Sequence, residues 1–418
     1  MFACGLDFGT SNSAIGIVRD GMAVLAPVDG DKTLIPSAVF FDDEAKGRAL
    51  FGNEAIAAYV GQAEGRLMRA LKSILGSPLI DEETVLGGRK VALATIVEIF
   101  VRHLKEKAEA FAGREITSVV HGRPVRFVDD DEAADARAQQ VLEDIAHRVG
   151  FRDVVFVYEP IAAAHHYERT VEGEELALIA DIGGGTSDFS VVRVGSRRRK
   201  DGDRKQDVLA SVGVRIGGTD FDRDLSLAAV MPLLGLGSAL VDKNLPLPSA
   251  PYHELAAWAT INFAYTYRNE RALAELAALA QEPEKVRRLL DMVRRRLGHR
   301  LAFAVEEAKI ALSTIERTAL PLEFLEPGLA APATRADFER ATAARMERLH
   351  KAAGDCIAMA GLDPSAIDTI FLTGGSSRVP AVWAAIERAA PSARPVGRSD
   401  LRSVALGLTE IAGGLGRS

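Results

Sequence analysis

Apolar residues in this chain form two kinds of pattern: short runs that predict buried strands, and stripes at intervals of three or four residues that predict helices. Two short runs at the start, Phe2–Phe8 and Ala14–Val18, flank a turn rich in Gly, Thr and Ser. The same order recurs at Leu176–Ala180 and Phe189–Val194. In both places an Asp lies at the end of the first strand and a glycine turn follows it. This loose internal repeat predicts a duplicated architecture with two similar lobes.

The rest of the chain mixes helical and strand patterns, which predicts an α/β fold. The segment Arg197–Lys205 carries basic and acidic residues together, and we expect it to be a solvated loop between strands. An alanine-rich helix is expected to open at Glu159-Pro160. We predict helices over residues 53–72, 91–112, 130–149 and 284–312, and further strands over residues 115–120, 153–158 and 369–373.

Composition narrows the class of protein. The 418 residues suit two or three domains, and 48% apolar with 26% charged residues is typical of a globular chain. The net charge of −7 argues against nucleic acid or an anionic membrane as a partner. Only two cysteines are present, far apart in sequence, so we predict a cytoplasmic protein without disulfides. Met1–Asp7 lacks a basic n-region and an apolar h-region, so we expect no targeting segment. The longest uncharged run, Leu225–Val241, contains Pro and Gly and favours a soluble helix followed by a turn over a membrane span.

The two glycine turns carry the candidate chemistry. Successive backbone N–H groups at such a turn form a nest for phosphate oxygens, because no Cβ blocks close approach. The nests would be formed by residues 9–11 and 183–186. Asp7 and Asp181 precede them, and Asp is a poor strand former but a good ligand for a divalent metal carried by phosphates. No Gly-Lys-Ser/Thr triplet of a Walker A loop occurs. The residues therefore predict a site for phosphates and a metal.

Five ordered motifs resemble those of the DnaK-type heat-shock protein 70 family, in the actin-like ATPase superfamily. Gly5–Ser13 and Ala180–Asp188 are similar to its two phosphate loops, and Glu159–Ala163 is similar to the segment that connects them. Ile216–Asp222 and Leu372–Pro380 are similar to the following glycine motif and to the adenosine loop. The resemblance implies an α/β actin-like ATPase fold, with two lobes of mixed β-sheets flanked by helices and a nucleotide cleft between them.

Three further runs, over residues 150–156, 231–235 and 307–313, resemble most closely the short YegD-type members of that family. The resemblance implies that residues 1–172 with 395–418 form lobe I, and that residues 173–394 form lobe II, with a peripheral subdomain at about 227–344. Because the sequence ends at Ser418, we expect no substrate-binding domain after the ATPase lobes.

The resemblance also implies a role for each matched residue. Asp7 and Asp181 would hold hydrated magnesium, and Lys72 would reach the γ-phosphate of ATP and the attacking water. Glu159 and Asp181 would orient or deprotonate that water. Thr186 would contact the phosphates. The resemblance thus implies four catalytic residues, namely Lys72, Glu159, Asp181 and Thr186. The residues that would bind the nucleotide are Gly9, Thr10, Ser11, Asn12, Gly183, Gly184, Gly185, Gly217, Gly218, Glu306, Lys309, Ile310, Gly374, Gly375, Ser376 and Arg378.

Several of these residues have a simpler interpretation. Spacing alone favours Lys72 as a lysine on a helix surface, so its role at the phosphates rests on the resemblance. Glu306 and Lys309 lie three residues apart, so they could form a solvated ion pair instead of holding the ribose. Ile310 stands where the chaperones have an arginine that stacks on adenine, and it could instead pack into the lobe core. We expect the pair His165-His166 to be exposed to solvent.

The function that this sequence favours is slow, magnesium-dependent ATP hydrolysis by a chaperone-like protein. ATP or ADP and Mg²⁺ are the expected ligands, and a protein client or co-chaperone is the possible macromolecular partner. Two alternatives stay open. One is a small-molecule kinase of the same superfamily, and the other is a filament protein of the bacterial-actin class. Phosphate release without an acceptor distinguishes the first, and sedimentation with ATP distinguishes the second.

Overall fold

The computed structural model describes residues 2–45, 47–61, 63–86, 88–128, 131–169, 171–198, 204–241, 245–258, 260–396 and 402–415. This part of the chain contains both strands and helices. The strands are β1 Ala3–Phe8, β2 Asn12–Arg19, β3 Met22–Leu25, β4 Ile35–Pro36, β5 Ala38–Asp42, β6 Arg48–Phe51, β7 Gly65–Arg69, β8 Glu83–Leu86, β9 Arg89–Ala92, β10 Ser118–Arg123, β11 Asp153–Tyr158, β12 Glu174–Ile182, β13 Ser187–Gly195, β14 Val208–Val214, β15 Arg317–Pro321, β16 Ala330–Thr334, β17 Thr369–Thr373 and β18 Arg394–Val396.

The helices range from one turn to seven turns in length. They are α1 Gly52–Val60, α2 Leu93–Ala112, α3 Glu132–Arg148, α4 Glu159–Tyr167, α5 Gly218–Leu225, α6 Ala250–Ala256, α7 Ile261–Ala264, α8 Tyr267–Leu279, α9 Pro283–Arg294, α10 Gly298–Leu312, α11 Arg335–Met359, α12 Pro380–Glu387 and α13 Ser403–Leu415.

Two central sheets share one topology, which confirms the internal repeat. The first has the order β3-β2-β1-β10-β11, with β4 added beside β2, and the second has the order β14-β13-β12-β17-β18. In each sheet the first strand of the repeat pairs antiparallel with the strand after the glycine turn and parallel with a later strand. Asp7 and Asp181 therefore occupy equivalent places, near the carboxyl ends of β1 and β12.

The core of the first sheet lies against α2 and α3, where Phe8, Phe100 and Phe151 are buried. A second cluster joins α4 and α13 to the strands of both sheets, through residues such as Ile161 and Phe371. Helix α13 approaches its neighbours closely at two glycines. A Cβ on Gly5 of β1 would lie 2.3 Å from the Thr409 nitrogen, and one on Gly407 would lie 1.8 Å from the Ala162 oxygen of α4. Helix α13 thus touches the backbone of both elements.

Two of the predicted helices are wrong in part. The helical pattern over residues 53–72 holds only for α1, because the chain then forms β7, which pairs antiparallel with β5. Sheet pairing has overridden the local pattern there. The pattern over residues 284–312 is broken into α9 and α10 at Arg296, which adopts a left-handed conformation with φ of 52°. The amide of Gly298, just after the break, donates to the Tyr265 hydroxyl at 2.9 Å.

The predicted loop Arg197–Lys205 is also not wholly solvated. Arg204 is buried, and its guanidinium donates to both carboxylate oxygens of Glu168, at 2.6 and 2.7 Å. Its Nε donates to Asp207 at 2.8 Å. Residues 199–203 of this loop lie outside the described part of the chain. The arginine therefore anchors one end of the loop in a buried ion pair.

The chain divides into two compact units. The first comprises Met1–Arg215, Lys351–Ser377 and Ile386–Ser418 and holds both central sheets. The second comprises Ile216–His350 and Arg378–Ala385 and is mainly helical, with the hairpin β15–β16. This division by compactness places both central sheets in one unit. It does not test the lobe boundaries expected above, which stay a prediction.

Candidate active site

Lys72 and Glu159 form a buried ion pair in the first unit. The Lys72 Nζ atom donates to Glu159 Oε1 at 2.5 Å, and the two side chains are only 11% and 10% exposed. Glu159 is the first residue of α4, and Lys72 lies in a short 3₁₀ turn. Ala70 immediately before that turn has φ of 56°, which L-residues other than Asn and Asp rarely adopt. Lys72 is thus a buried ion-pair partner, and its interpretation as a surface lysine is wrong.

Asp7 and Asp181 belong to the same electrostatic group. Burial raises the pKa of Asp7 to about 8, and the negative charges of Glu159 and Asp181 add to this effect while Lys72 opposes it. Burial, followed by the charge of Glu159, also raises the pKa of Asp181 to about 6. Both carboxyl groups are therefore held in surroundings where their ionised forms are under-compensated.

Lys72 stays charged in this site. Burial disfavours its ammonium group, but the charges of Glu159, Asp7 and Asp181 outweigh burial and raise the pKa of Lys72. One cation thus faces three carboxyl groups, and an added divalent cation would complete the balance. Among the described residues, no three His, Cys, Asp or Glu side chains are arranged to hold a metal by themselves. Magnesium fits such a place, because it is bound by one or two carboxylates together with phosphates and waters.

The two glycine turns contact each other. A Cβ on Gly184 would lie 1.9 Å from the Ser11 Oγ atom, so the second turn packs against the first. The Gly183 amide donates to the Thr186 oxygen at 2.9 Å, which closes the second turn, and the Gly9 amide donates to Ser13 Oγ at 3.2 Å in the first. Gly185 has open space where its Cβ would be. The turns therefore form a joint cradle with room for a ligand, and Thr10 and Asn12 belong to its first half.

A third loop completes this group of residues. Gly374, directly after β17, has φ of 83°, and a Cβ there would lie 2.4 Å from Asp181 Oδ1. The Ser376 hydroxyl donates to the Gly183 oxygen at 3.1 Å. Gly375 has open space where its Cβ would be. The structure thus brings together the first-unit residues predicted for the phosphate and metal site.

The second unit holds the remaining predicted residues. Gly217 and Gly218 open α5, where the Gly217 amide donates to Asp220 at 3.0 Å. Lys309 of α10 is buried, and its ammonium donates to Asp222 at 3.0 Å and to the Gly218 oxygen at 3.3 Å. The expected alternative, a solvated pair of Lys309 with Glu306, is therefore wrong. Arg378 also belongs to this unit.

Ile310 lies on the surface of α10. Its side chain is 59% exposed, so the alternative that it packs into the core is wrong. Its neighbour Lys309 is buried, which places the two consecutive side chains on different faces of the helix. An exposed apolar side chain here leaves a surface that a ligand can cover.

Three acidic residues near these groups were not predicted from the sequence as site residues: Asp188, Asp222 and Glu410. Asp188 lies directly opposite Asp181 on β13, and both line a small cavity with Glu159 and Thr373. Its signal was present, because Asp is unfavourable within a strand. Asp222, which holds Lys309, and Glu410 gave no such signal. Glu410 of α13 contacts His165 and His166, and His165 is buried, so its predicted exposure is wrong.

Comparison with known proteins fits these observations. A family model described as Hsp70 protein matches residues 79–230 and 277–407, which is more than half of the chain. The chain belongs to the Hsp70 family. The match includes Glu159, the second glycine turn and the loop after β17, whereas Asp7 and Lys72 precede it.

Membership of the Hsp70 family, together with mixed sheets flanked by helices, confirms the actin-like ATPase fold. At the family level it supports ATP binding and a chaperone-type function, with nucleotide and Mg²⁺ as the ligands that Hsp70 proteins use. None of the described helices combines the length and the apolar character needed to cross a bilayer.

Proposed function

We propose that this Hsp70-family chain is a magnesium-dependent ATPase with slow turnover and a chaperone-type role, of the short YegD-like kind. The observation that carries the proposal is the buried Lys72–Glu159 pair beside Asp7 and Asp181. Two contacting glycine turns lie at the ends of the strands that hold the two Asp residues. One cation, three carboxyl groups and open backbone at Gly185 suit a ligand that combines phosphates with a divalent metal.

Each residue has a role that follows from its chemistry. Bound Mg-ATP would supply the phosphoryl group and, with its magnesium ion, the positive charge that balances the carboxylates and phosphates. Asp7 and Asp181 would hold the water shell of the metal. Lys72 would place a positive charge beside the phosphates and fix the carboxylate of Glu159. Glu159 would then accept a proton from a water, with Asp181 orienting it.

The remaining predicted residues would bind the rest of the nucleotide. Residues 9–12 and 183–186 would surround the phosphates with backbone N–H groups and hydroxyls. Gly374, Gly375 and Ser376 would allow the chain to approach the nucleotide closely. In the second unit, Asp222 would hold the ammonium of Lys309 in place for the ribose. Gly217, Gly218, Glu306, Ile310 and Arg378 complete the proposed set.

The direct test is calorimetry and phosphate release with the purified protein. We expect ATP to bind in the presence of Mg²⁺, to bind more weakly in EDTA, and to be hydrolysed slowly without any acceptor. No ATP binding with Mg²⁺ would show that the proposal is wrong. Phosphate transfer only to an added sugar or carboxylate would identify a kinase, and ATP-dependent sedimentation would identify a filament protein.

The proposal extends to partners of the protein class, namely a client or a co-chaperone. A pull-down with Lys72→Ala protein loaded with ATP is the suitable experiment, because that variant is expected to hold the nucleotide without turning it over. The cytoplasmic location stays a prediction. Cys4 and Cys356 are both free and buried, which suits a reducing compartment.

A further inference from the structure

Three basic side chains converge on the carboxylate of Glu410 in helix α13. His166 Nδ1 lies 3.0 Å from Glu410 Oε1, and His165 Nδ1 lies 3.3 Å from Oε2. Arg169 Nη1 donates to Oε1 at 3.1 Å. The Glu410 side chain is only 7% exposed. Because a carboxylate only accepts hydrogen bonds, His166 and Arg169 are its donors, and His165 lies within ion-pair distance. We call this group the Glu410 cluster.

The Glu410 cluster holds an ionised carboxylate. Burial alone would raise the pKa of the Glu410 carboxyl, but its contacts with His165, His166 and Arg169 outweigh burial and hold the pKa well below its usual range. The charged side chains on the strands that pack against α13 have partners other than Glu410. Arg19 of β2 donates to the Phe111 oxygen, and Arg123 of β10 pairs with Asp135. Asp7 of β1 belongs to the candidate active site.

Helix α4 connects this cluster to the candidate active site. Glu159 is its first residue, and His165 and His166 lie in its last turn. A helix of nine residues is about 13 Å long and moves as a rigid rod. Helix α13 touches α4 at Ala162 and touches β1 at Gly5, two residues before Asp7. The position of α13 is therefore coupled by backbone contact to both carboxyl-bearing elements.

We propose that Glu410 is a positioning residue that fixes α4, and through it the Glu159 carboxylate, relative to Asp7. The inference rests on the proposed ATPase function. Glu410 contacts His165 and His166 in the last turn of α4, so we expect its effect to pass through that helix.

The test compares ATP turnover by the full chain and by Glu410→Gln, which keeps the size and removes the charge. We expect kcat to fall about tenfold while KM for ATP changes less than about twofold, because positioning of the reacting groups is lost and binding is retained. Glu410→Asp is expected to restore part of kcat. Glu98→Gln is the matched control, since Glu98 also accepts from two arginines, Arg102 and Arg148, outside the site.

A control for folding separates positioning from simple stability. The variants are assayed well below their melting temperatures, so that a lower kcat reports misplaced groups and not unfolded protein. A Glu410→Gln kcat equal to that of the parent would overturn the inference.

Amide hydrogen exchange gives a readout that does not need ATP turnover. Glu410→Gln is expected to speed exchange in α4, and Glu98→Gln is expected to leave α4 unchanged. If the parent hydrolyses no ATP, the proposed function fails even where α4 shows this difference. If the parent hydrolyses ATP and α4 shows no difference, the inference alone fails. If Glu410→Gln does not fold, the same measurements are made on His166→Gln, with the same expected outcomes.

Discussion

Lys72 and Glu159 lie 87 positions apart in the sequence, and their charged atoms meet at 2.5 Å in a buried ion pair. The pair lies beside Asp7 and Asp181, whose pKa values are both raised by burial and by the charge of Glu159. Loss of any one of these four side chains should therefore change the charge balance of the site, which the first two predictions test.

Lys72→Ala is expected to separate ATP binding from hydrolysis. The glycine turns remain, so ATP should still bind, while single-turnover hydrolysis should fall by about 10²-fold or more with the loss of one electrostatic contact. The variant also leaves Glu159 buried without its cation, so we expect a lower melting temperature. Lys90→Ala, at an exposed ion pair, is the control and should change neither quantity. A single-turnover rate equal to that of the parent would remove Lys72 from the active site.

Asp7→Asn is expected to stabilise the metal-free protein and to weaken its response to Mg-ATP. The pKa of Asp7 is raised to about 8 in the folded protein, so its stabilising contribution is complete below pH 4 and is lost as the pH rises towards 8. Asn does not titrate. In EDTA, the melting temperature of the variant should therefore exceed that of the parent increasingly between pH 4 and pH 8.

Asp181→Asn provides the comparison, because the pKa of Asp181 is raised only to about 6 and its difference from the parent should level off there. With Mg-ATP added, the parent should gain stability and both variants should gain less. A calorimetric titration in which ATP binds the parent equally well with and without Mg²⁺ would contradict the metal assignment.

Two neighbouring glycines are expected to differ sharply in their tolerance of a methyl group. Gly374→Ala places a Cβ 2.4 Å from Asp181 Oδ1 at a residue with φ of 83°, so it should displace that carboxylate and destabilise the fold by about 1–2 kcal/mol or more. Gly375→Ala meets no atom within 4 Å, so the free energy of unfolding should change by less than about 0.5 kcal/mol. If Gly375→Ala nevertheless weakens ATP binding, the nucleotide approaches that loop, as we propose. Denaturant unfolding and ATP titration of both variants provide the measurements.

Ile310→Arg is expected to tighten ATP binding by a few-fold, up to about tenfold, because an arginine can stack on an aromatic base. The side chain is 59% exposed, so the melting temperature should not change. Ile315→Arg is the matched control, since Ile315 is 48% exposed and lies beyond the end of α10. Equal affinities for ATP in the two variants and the parent would rule out contact of residue 310 with adenine.

The buried pair Arg204–Glu168 is expected to be important for stability. Arg204→Met leaves the fully buried Glu168 carboxylate without its bidentate partner, which should lower the free energy of unfolding by about 3–5 kcal/mol. Arg102→Met removes a partly exposed arginine from an ion pair within α2 and should cost less than about 1 kcal/mol. Urea unfolding of the two variants tests the difference, and similar losses would show that burial of the pair is unimportant.

Local patterns in the sequence predicted much of this molecule. The two strand–turn–strand units, the Asp at the end of each first strand and helix α2 follow from apolar runs and turn residues within about twenty positions. The contacts that complete the site do not follow from such patterns. Lys72 meets Glu159, and Asp222 meets Lys309, through packing between distant segments, so neither neighbourhood reveals the partner.

The errors have the same origin. Strand β7 formed where a helical stripe was expected, because pairing with β5 stabilises the extended form. Arg296 breaks the long helix through a left-handed residue, and a bulky arginine gives no sign of it. His165 looked exposed because its partner, Glu410, lies on a helix at the other end of the sequence.

The contact of α13 with β1 and α4 has a consequence for biosynthesis. Helix α13, which covers β1, is synthesised about 400 residues after that strand. At about 5–20 residues per second, β1 waits on the order of tens of seconds for its packing partner. Throughout that interval the nascent chain can form the first glycine turn, but it lacks the helix that touches both the Asp7 strand and α4. The candidate active site is therefore expected to be complete only after α13 has been made, and a nascent chain without α13 is expected not to hydrolyse nucleotide.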